Sequence, residues 1–245
     1  LDTLALLEGM VSHDRATREL EWAESLYAEL RTAPESMDFG VYNSILYSSL
    51  AREIKGDLIF VEQEAETPFL AVCDAFHQGI AAAVTLHIVT AALRAAPVGR
   101  RMHAVHEILR RFSSPPLRTA LTLLEPCAAG IRLQLAGNPR PYVLGNNKPP
   151  ARTGTQGEPL GITQPSAAGT IDLDLQAGEV LLVATNGLAK AFGSPGEEHL
   201  HAFLAEQSGP TAGTLHAALQ KRLSEVPGVS SFPDDISYVI IQRRT

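Results

Sequence analysis

Cysteine is nearly missing from this chain, and aromatic residues make up only 6% of it, with a single Trp. The two thiols, Cys73 and Cys127, each lie in an apolar, strand-like run. That placement suits buried, reduced thiols better than a disulfide framework and points to a cytoplasmic setting. Clustered positive charge is absent too: 20 Lys and Arg stand against 27 Asp and Glu, the net charge is −7, and no basic run exceeds two residues. An electrostatic footprint for nucleic acid or for an anionic membrane is therefore lacking. Hydrophobic runs are short. The most apolar stretch, through residues 80–96, is interrupted by His87 and Thr90, so none reaches the length needed to span a bilayer. There is no GxxxxGK[ST] phosphate loop and no GxSxG context around Ser230–Ser231. The pairs His103/His106 and His199/His201 lack a third ligand at zinc spacing. No signal peptide opens the chain, and a start at Leu1 rather than Met predicts a piece of a longer protein.

What is present, at 245 residues, is enough for one catalytic-sized domain with an N-terminal extension. Residues 4–31 lack Pro and carry Leu20, Ala23, Leu26, Tyr27 and Leu30 at three- and four-residue steps, which predicts an amphipathic helix ended by the TAPES segment at 32–36. The expected division is a linker helix over 1–36 and a globular domain over 37–245. Within the latter, FGVYNSILYSSL (39–50), DLIFVE (57–62) and PFLAVC (68–73) read as a strand and then a hairpin. The apolar residues of 77–95 cover nearly the whole helical circumference and predict a buried helix, followed by a second over 101–112. Further strands are expected at 120–124, 130–136, 141–144, 170–175, 179–184 and 236–242, with helices at 197–207 and 211–223. A Pro/Gly-rich loop is expected at 145–157. Strand runs separated by paired helices, rather than strict alternation, favour an α+β sandwich of two antiparallel sheets with helices outside.

Acidic residues stand where strands begin or end: Asp57 after Gly56, Asp74 after LAVC, and Asp234–Asp235 before the last strand. Oxygen-only donors of this kind suit hard divalent cations such as Mg²⁺ or Mn²⁺. Taken singly, each is as readily explained as a turn former.

The ordered set changes that reading. REIKGDLIFV, LAVCDAFHQGIAAAVTLHIV, LQLAGNPRPYVL, EPLGI, LQAGEVLLVATNGLAKA and DDISYVII resemble, in order, six segments of the PPM-type, SpoIIE- and RsbU-like metal-dependent serine/threonine phosphatases. The resemblance runs from about Glu53 to Gln242. It implies an αββα sandwich, two Mn²⁺ or Mg²⁺ ions, and in-line attack of a water held between them on a phosphoserine or phosphothreonine. It assigns catalysis to Asp57, Asp74 and Asp234. The metal set it implies is Asp57, Asp74, the Ala75 carbonyl, Asn186, Asp234 and Asp235, with Asp74 bridging and Asp235 as backup to Asp234. The implied partners are a phosphorylated protein of the anti-sigma-factor-antagonist type, an upstream sensor or receiver domain, and a second copy through the N-terminal helix.

Three positions depart from the family pattern. Asn186 stands in TNG where the family has a carboxylate, which predicts weakened metal binding. HQG (77–79) replaces Gly-His-Gly, placing a Cβ in the loop beside the metals, with His77 read as solvated or capping rather than catalytic. Lys190 replaces a Glu and reads as a neutral surface change. Two functions follow from these residues: a working phosphatase of reduced activity, or a pseudophosphatase that binds partners without turnover.

Overall fold

The computed structural model describes residues 17–18, 21–22, 24–25, 27–28, 30, 35–37, 40–49, 56–64, 67–145, 148–162, 168–225 and 234–244. Leu20, Ala23 and Leu26 of the expected N-terminal stripe, residues 1–16, and Ser230–Ser231 lie outside the described residues. The strands are β1 (Tyr42–Ser49), β2 (Asp57–Glu62), β3 (Phe69–Ala75), β4 (Thr119–Cys127), β5 (Gly130–Ala136), β6 (Tyr142–Gly145), β7 (Lys148–Arg152), β8 (Gly169–Leu173), β9 (Val180–Ala184) and β10 (Ile236–Arg243). The helices are α1 (Ile80–Ala95), α2 (Arg101–Leu109), α3 (Asn186–Ala191), α4 (Gly196–Ala205) and α5 (Ala212–Ser224).

The strands form two five-stranded antiparallel sheets, ordered β1-β10-β9-β6-β7 and β2-β3-β4-β5-β8. The alternation of side chains along each strand explains their stacking. On β3, Leu70 and Val72 face the other sheet, whereas Phe69, Ala71 and Cys73 face α1 and α2. On β10, Val239 and Ile241 face inward between the sheets, while Ile236, Tyr238 and Ile240 meet α3, α4 and α5. Both faces of both central strands are buried, giving helix, sheet, sheet and helix layers. The α+β sandwich expected from the sequence is therefore the fold.

Helix α1 differs from its expectation. Ala82, Ala83, Leu86, Val89 and Leu93 are buried against the sheet, but Ile80 and Val84 are exposed, since only one sheet lies beside the helix. The loop expected at 145–157 contains β7, with Pro149 and Pro150 in it. As an edge strand, β7 tolerates residues that donate no ladder hydrogen bond. Cys127, expected to be buried, sits half-exposed at the end of β4, whereas Cys73 is fully buried and both are free thiols. All the described residues between 17 and 30 are helical. Tyr27 is buried in the α1–α2 layer and its hydroxyl donates to the Asp57 carbonyl oxygen at 2.7 Å, with Leu30 packed alongside. Among the described residues no helix is long and apolar enough to cross a membrane.

Candidate active site

The same alternation that builds the inter-sheet core places the candidate site at its end. Asp57 is two residues before Ile59, and Asp74 two after Val72, so both carboxylates continue the inward-facing rows of β2 and β3. They are register partners across that antiparallel pair, a position where side chains share one face at close quarters. From the opposite sheet, Thr185 follows Val183 on the inward row of β9, and Asp235 and Ser237 precede Val239 on that of β10. The hydrophobic core thus gives way at one end of the sandwich to carboxylates and hydroxyls from both sheets.

Hydrogen bonds fix this end. The Thr185 hydroxyl donates to Asp57 Oδ2 at 2.7 Å and accepts the Ser237 N–H at 3.2 Å, tying the sheets together across the site. Thr185 is also the residue before α3, but its hydroxyl makes no helix-capping bond. The Asp74 backbone is held by Thr119, whose hydroxyl donates to the Asp74 carbonyl at 3.0 Å, and the Ala75 N–H donates to the Gly56 carbonyl at 2.7 Å. Gly56 has a specific reason to be glycine. A Cβ there would lie 2.5 Å from the Ala75 carbonyl oxygen and 3.2 Å from Asp74 Oδ1. The structure keeps that space beside two of the predicted ligands open.

The electrostatics are those of crowded anions. Burial, then the charge of Asp74, pushes the Asp57 carboxyl well above its ordinary range. Asp74 is pushed up to about 6 by burial first and then by Asp234, opposed by the nearby Lys190 ammonium and reinforced by Asp235. Asp234 is half-exposed, with Oδ1 accepting the Asp235 N–H at 3.0 Å and Oδ2 paired with Lys190 Nζ. Lys190 lies at the surface, half exposed, and its ammonium pairs with Asp234, a predicted ligand. Asp235 is buried, and its neighbour Asp234 is half-exposed. Asn186 opens α3 half-buried, and the adjoining Gly187 packs against the Asp235 carbonyl with no room for a Cβ. His77 lies in the loop before α1, where Nε2 meets the Pro116 carbonyl oxygen at 2.8 Å.

These features occur in a recognisable order along the chain, and the family model described as stage II sporulation protein E (SpoIIE) matches residues 65–244. The chain belongs to the SpoIIE family. The fold is similar to that of the PP2C phosphatase domain of SpoIIE from Bacillus subtilis, at 12% identity and a TM-score of 0.65, covering 85% of this chain and 64% of that one. It is similar to the SiaA-PP2C domain of Pseudomonas aeruginosa, at 15% identity and a TM-score of 0.70, covering 95% and 98%. It is also similar to RsbX solved in complex with magnesium, at 14% identity and a TM-score of 0.60, covering 85% and 98%. The chain spans less than two thirds of the SpoIIE fragment's length. A sequence comparison with curated proteins gives no significant match. The fold of this SpoIIE-family domain is thus that of PP2C-type phosphatase domains, as the sequence resemblance implies.

Does the SpoIIE-family site here fit a divalent cation? Its donors are all oxygen, its carboxylates repel one another at close range, and Gly56 leaves open the space beside Asp74 and the Ala75 carbonyl. That chemistry suits Mg²⁺ or Mn²⁺. Among the described residues no three Asp, Glu, His or Cys side chains converge closely enough to hold an ion as they stand. The fit is therefore one of donor type and charge.

Sequence reasoning did not single out Thr185 or Asn138. Thr185 was visible as the first residue of TNG, but its bond to Asp57 crosses between sheets. Asn138, in GNPRP, is buried, and its amide donates to the Val72 carbonyl at 2.9 Å and to Thr122 Oγ1 at 3.2 Å, pinning the end of β5 to β3 and β4. Asn138→Ala is expected to lower stability by about 1–3 kcal/mol, because a buried carbonyl and hydroxyl lose their donor. Urea unfolding measures this.

Proposed function

We propose that this domain is a metal-dependent phosphatase that hydrolyses phosphoserine or phosphothreonine on a bacterial signalling protein, working at high divalent-cation concentration. The observation that supports it most is the facing of Asp57 and Asp74 across β2 and β3, with Asp234 and Asp235 brought to them from the other sheet. Asp57, Asp74 and the Ala75 carbonyl would hold one ion, and Asp234 with the Asn186 amide oxygen would offer the donors of a second position. When bound, the cation lowers the pKa of water and polarises phosphoryl oxygens. The protein's own residues supply the rest. Thr185 orients the Asp57 carboxylate, Thr119 and Gly56 hold the backbone of the Asp74–Ala75 segment, and the anionic lining repels a phosphoryl group until its charge is compensated.

The phosphorylated partner of anti-sigma-factor-antagonist type, the cytoplasmic location, the upstream sensor or receiver domain and a homodimer through the N-terminal helix belong to the same proposal. So does the division at residue 36. One structural neighbour is the PP2C phosphatase domain of a cell fate determinant, solved with a fragment of its regulatory domain. A second reading, a pseudophosphatase that binds partners without turnover, is favoured by one specific observation: an ammonium group already pairs with Asp234 beside Asn186.

Asn186→Asp separates the two. If the domain is an enzyme short of one anionic ligand, phosphate release from a phosphoserine peptide saturates at millimolar Mn²⁺ in the native protein. The substitution then lowers the Mn²⁺ required by roughly tenfold, as ligand charge count dictates. Activity that exists only in the variant establishes that the native domain has lost catalysis and acts as a binding module.

A further inference from the structure

The short helix α3 begins immediately after Thr185 and turns Lys190 back toward the start of β10. The Lys190 ammonium is paired with Asp234 Oδ2, the backbone N–H of Asp235 occupies Oδ1, and the positive charge is felt by Asp74 as well. Both oxygens of Asp234 are thus engaged, one of them by a full positive charge. As a stabilising device this pair is weak, since Lys190 is 50% exposed and Asp234 37%, and half-exposed ion pairs contribute little to folding. Its consequence lies in what else can bind. A divalent ion brought to Asp234 must either displace the ammonium or sit beside it, and each costs affinity. Asn186, neutral where a carboxylate would offset the added charge, leaves nothing nearby on α3 to compensate.

We propose that Lys190 is the resident cation of this site: its ammonium stands at Asp234 in place of a divalent ion, and leaves Asp57, Asp74 and the Ala75 carbonyl to hold one ion only. This rests on the metal-site reading above. The domain is accordingly tuned for weak, low-stoichiometry metal binding by an ion pair of its own, in addition to the missing carboxylate. Because Lys190 is half exposed and its stem is not part of the core, its substitution leaves the fold intact.

The test is Mn²⁺ binding by titration calorimetry to the native chain and to Lys190→Gln, Lys190→Glu and Lys190→Arg, each checked for a native unfolding transition in EDTA. Removing one charge from beside the ion is expected to tighten binding roughly tenfold in Lys190→Gln, and further in Lys190→Glu. In Lys190→Glu the stoichiometry rises from one ion to two. Lys190→Arg keeps the native isotherm. Unchanged affinity and stoichiometry in both Lys190→Gln and Lys190→Glu, or two ions bound by the native chain, overturn the proposal while leaving the phosphatase reading standing. Tighter binding without phosphate release in any variant upholds the role of Lys190 and removes the phosphatase reading instead.

Discussion

Metal-free Asp74→Asn is expected to be more stable than the native protein by about 1–2 kcal/mol near neutral pH, even though it loses the carboxylate proposed to bridge the metal ions. The reason lies in the charge imposed on Asp74. Its carboxyl is pushed up to about 6 by burial, Asp234 and Asp235, above the 3.8 of a solvated Asp. A group that holds its proton more tightly when folded than when unfolded stabilises the protein at low pH. That advantage is lost as pH rises through the two values, from about 4 to 6, and above them the buried anion is a liability. Asn carries no charge at any pH, so the substitution removes this penalty and flattens the dependence over that window. Asp57, shifted in the same direction, leaves a residual slope. Urea unfolding in EDTA from pH 4 to pH 8 measures the effect. A native protein that gains stability from pH 4 to 6, or a less stable Asp74→Asn above pH 6, would show that these carboxylates are not crowded in the absence of metal. Carboxylates held together at a stability cost are what a cation site requires, since the ion that binds them relieves the repulsion.

Gly187→Ala is expected to destabilise the fold by at least about 3 kcal/mol, against the direction set by helix propensity. Gly187 lies inside α3, where Ala is ordinarily the better helix former by about 1 kcal/mol. A Cβ at this position, however, would fall far inside the van der Waals contact distance of the Asp235 carbonyl oxygen, and that neighbour is backbone at the start of a central strand, which cannot swing aside. Either α3 lifts away from β10 or the Asp234–Asp235 segment moves. Both displace Asn186, Lys190 and Thr185 from the site. Thermal or urea unfolding gives the stability, and Mn²⁺ affinity should fall in parallel. A Gly187→Ala variant as stable as the native protein would show that α3 does not pack so closely against the Asp234–Asp235 turn. The glycine after Asn186 is therefore a packing requirement that brings two parts of the chain, far apart in sequence, to one point.

Much of this architecture was legible in the sequence because it rests on local pattern. DLIFVE and PFLAVC are short runs rich in β-branched and aromatic residues, joined by a polar turn. The β2–β3 hairpin, and with it the approach of Asp57 to Asp74, follows from that pattern. The elements that escaped are those decided by neighbours. Pro149 and Pro150 signal a loop until the position of β7 at a sheet edge is known, where no partner needs their missing N–H groups. The near-complete apolar circumference of residues 77–95 signals a buried helix, but burial depends on how many layers surround it, and α1 has one. At the site, the carboxylates were found from their order along the chain. The pairing of Lys190 with Asp234 was not legible, because an ion pair to a residue 44 positions away leaves no trace in local sequence. The hydroxyl of Thr185, spent on Asp57 rather than on capping α3, was hidden for the same reason.

The measurement that bears most directly on the function is phosphate release from a phosphoserine peptide across a Mn²⁺ titration, run side by side with Asp74→Asn. Saturable release at millimolar Mn²⁺ that disappears in Asp74→Asn is the predicted result. Release that is independent of Mn²⁺, or that survives in Asp74→Asn, would contradict the assignment of this carboxylate cluster as the catalytic metal site.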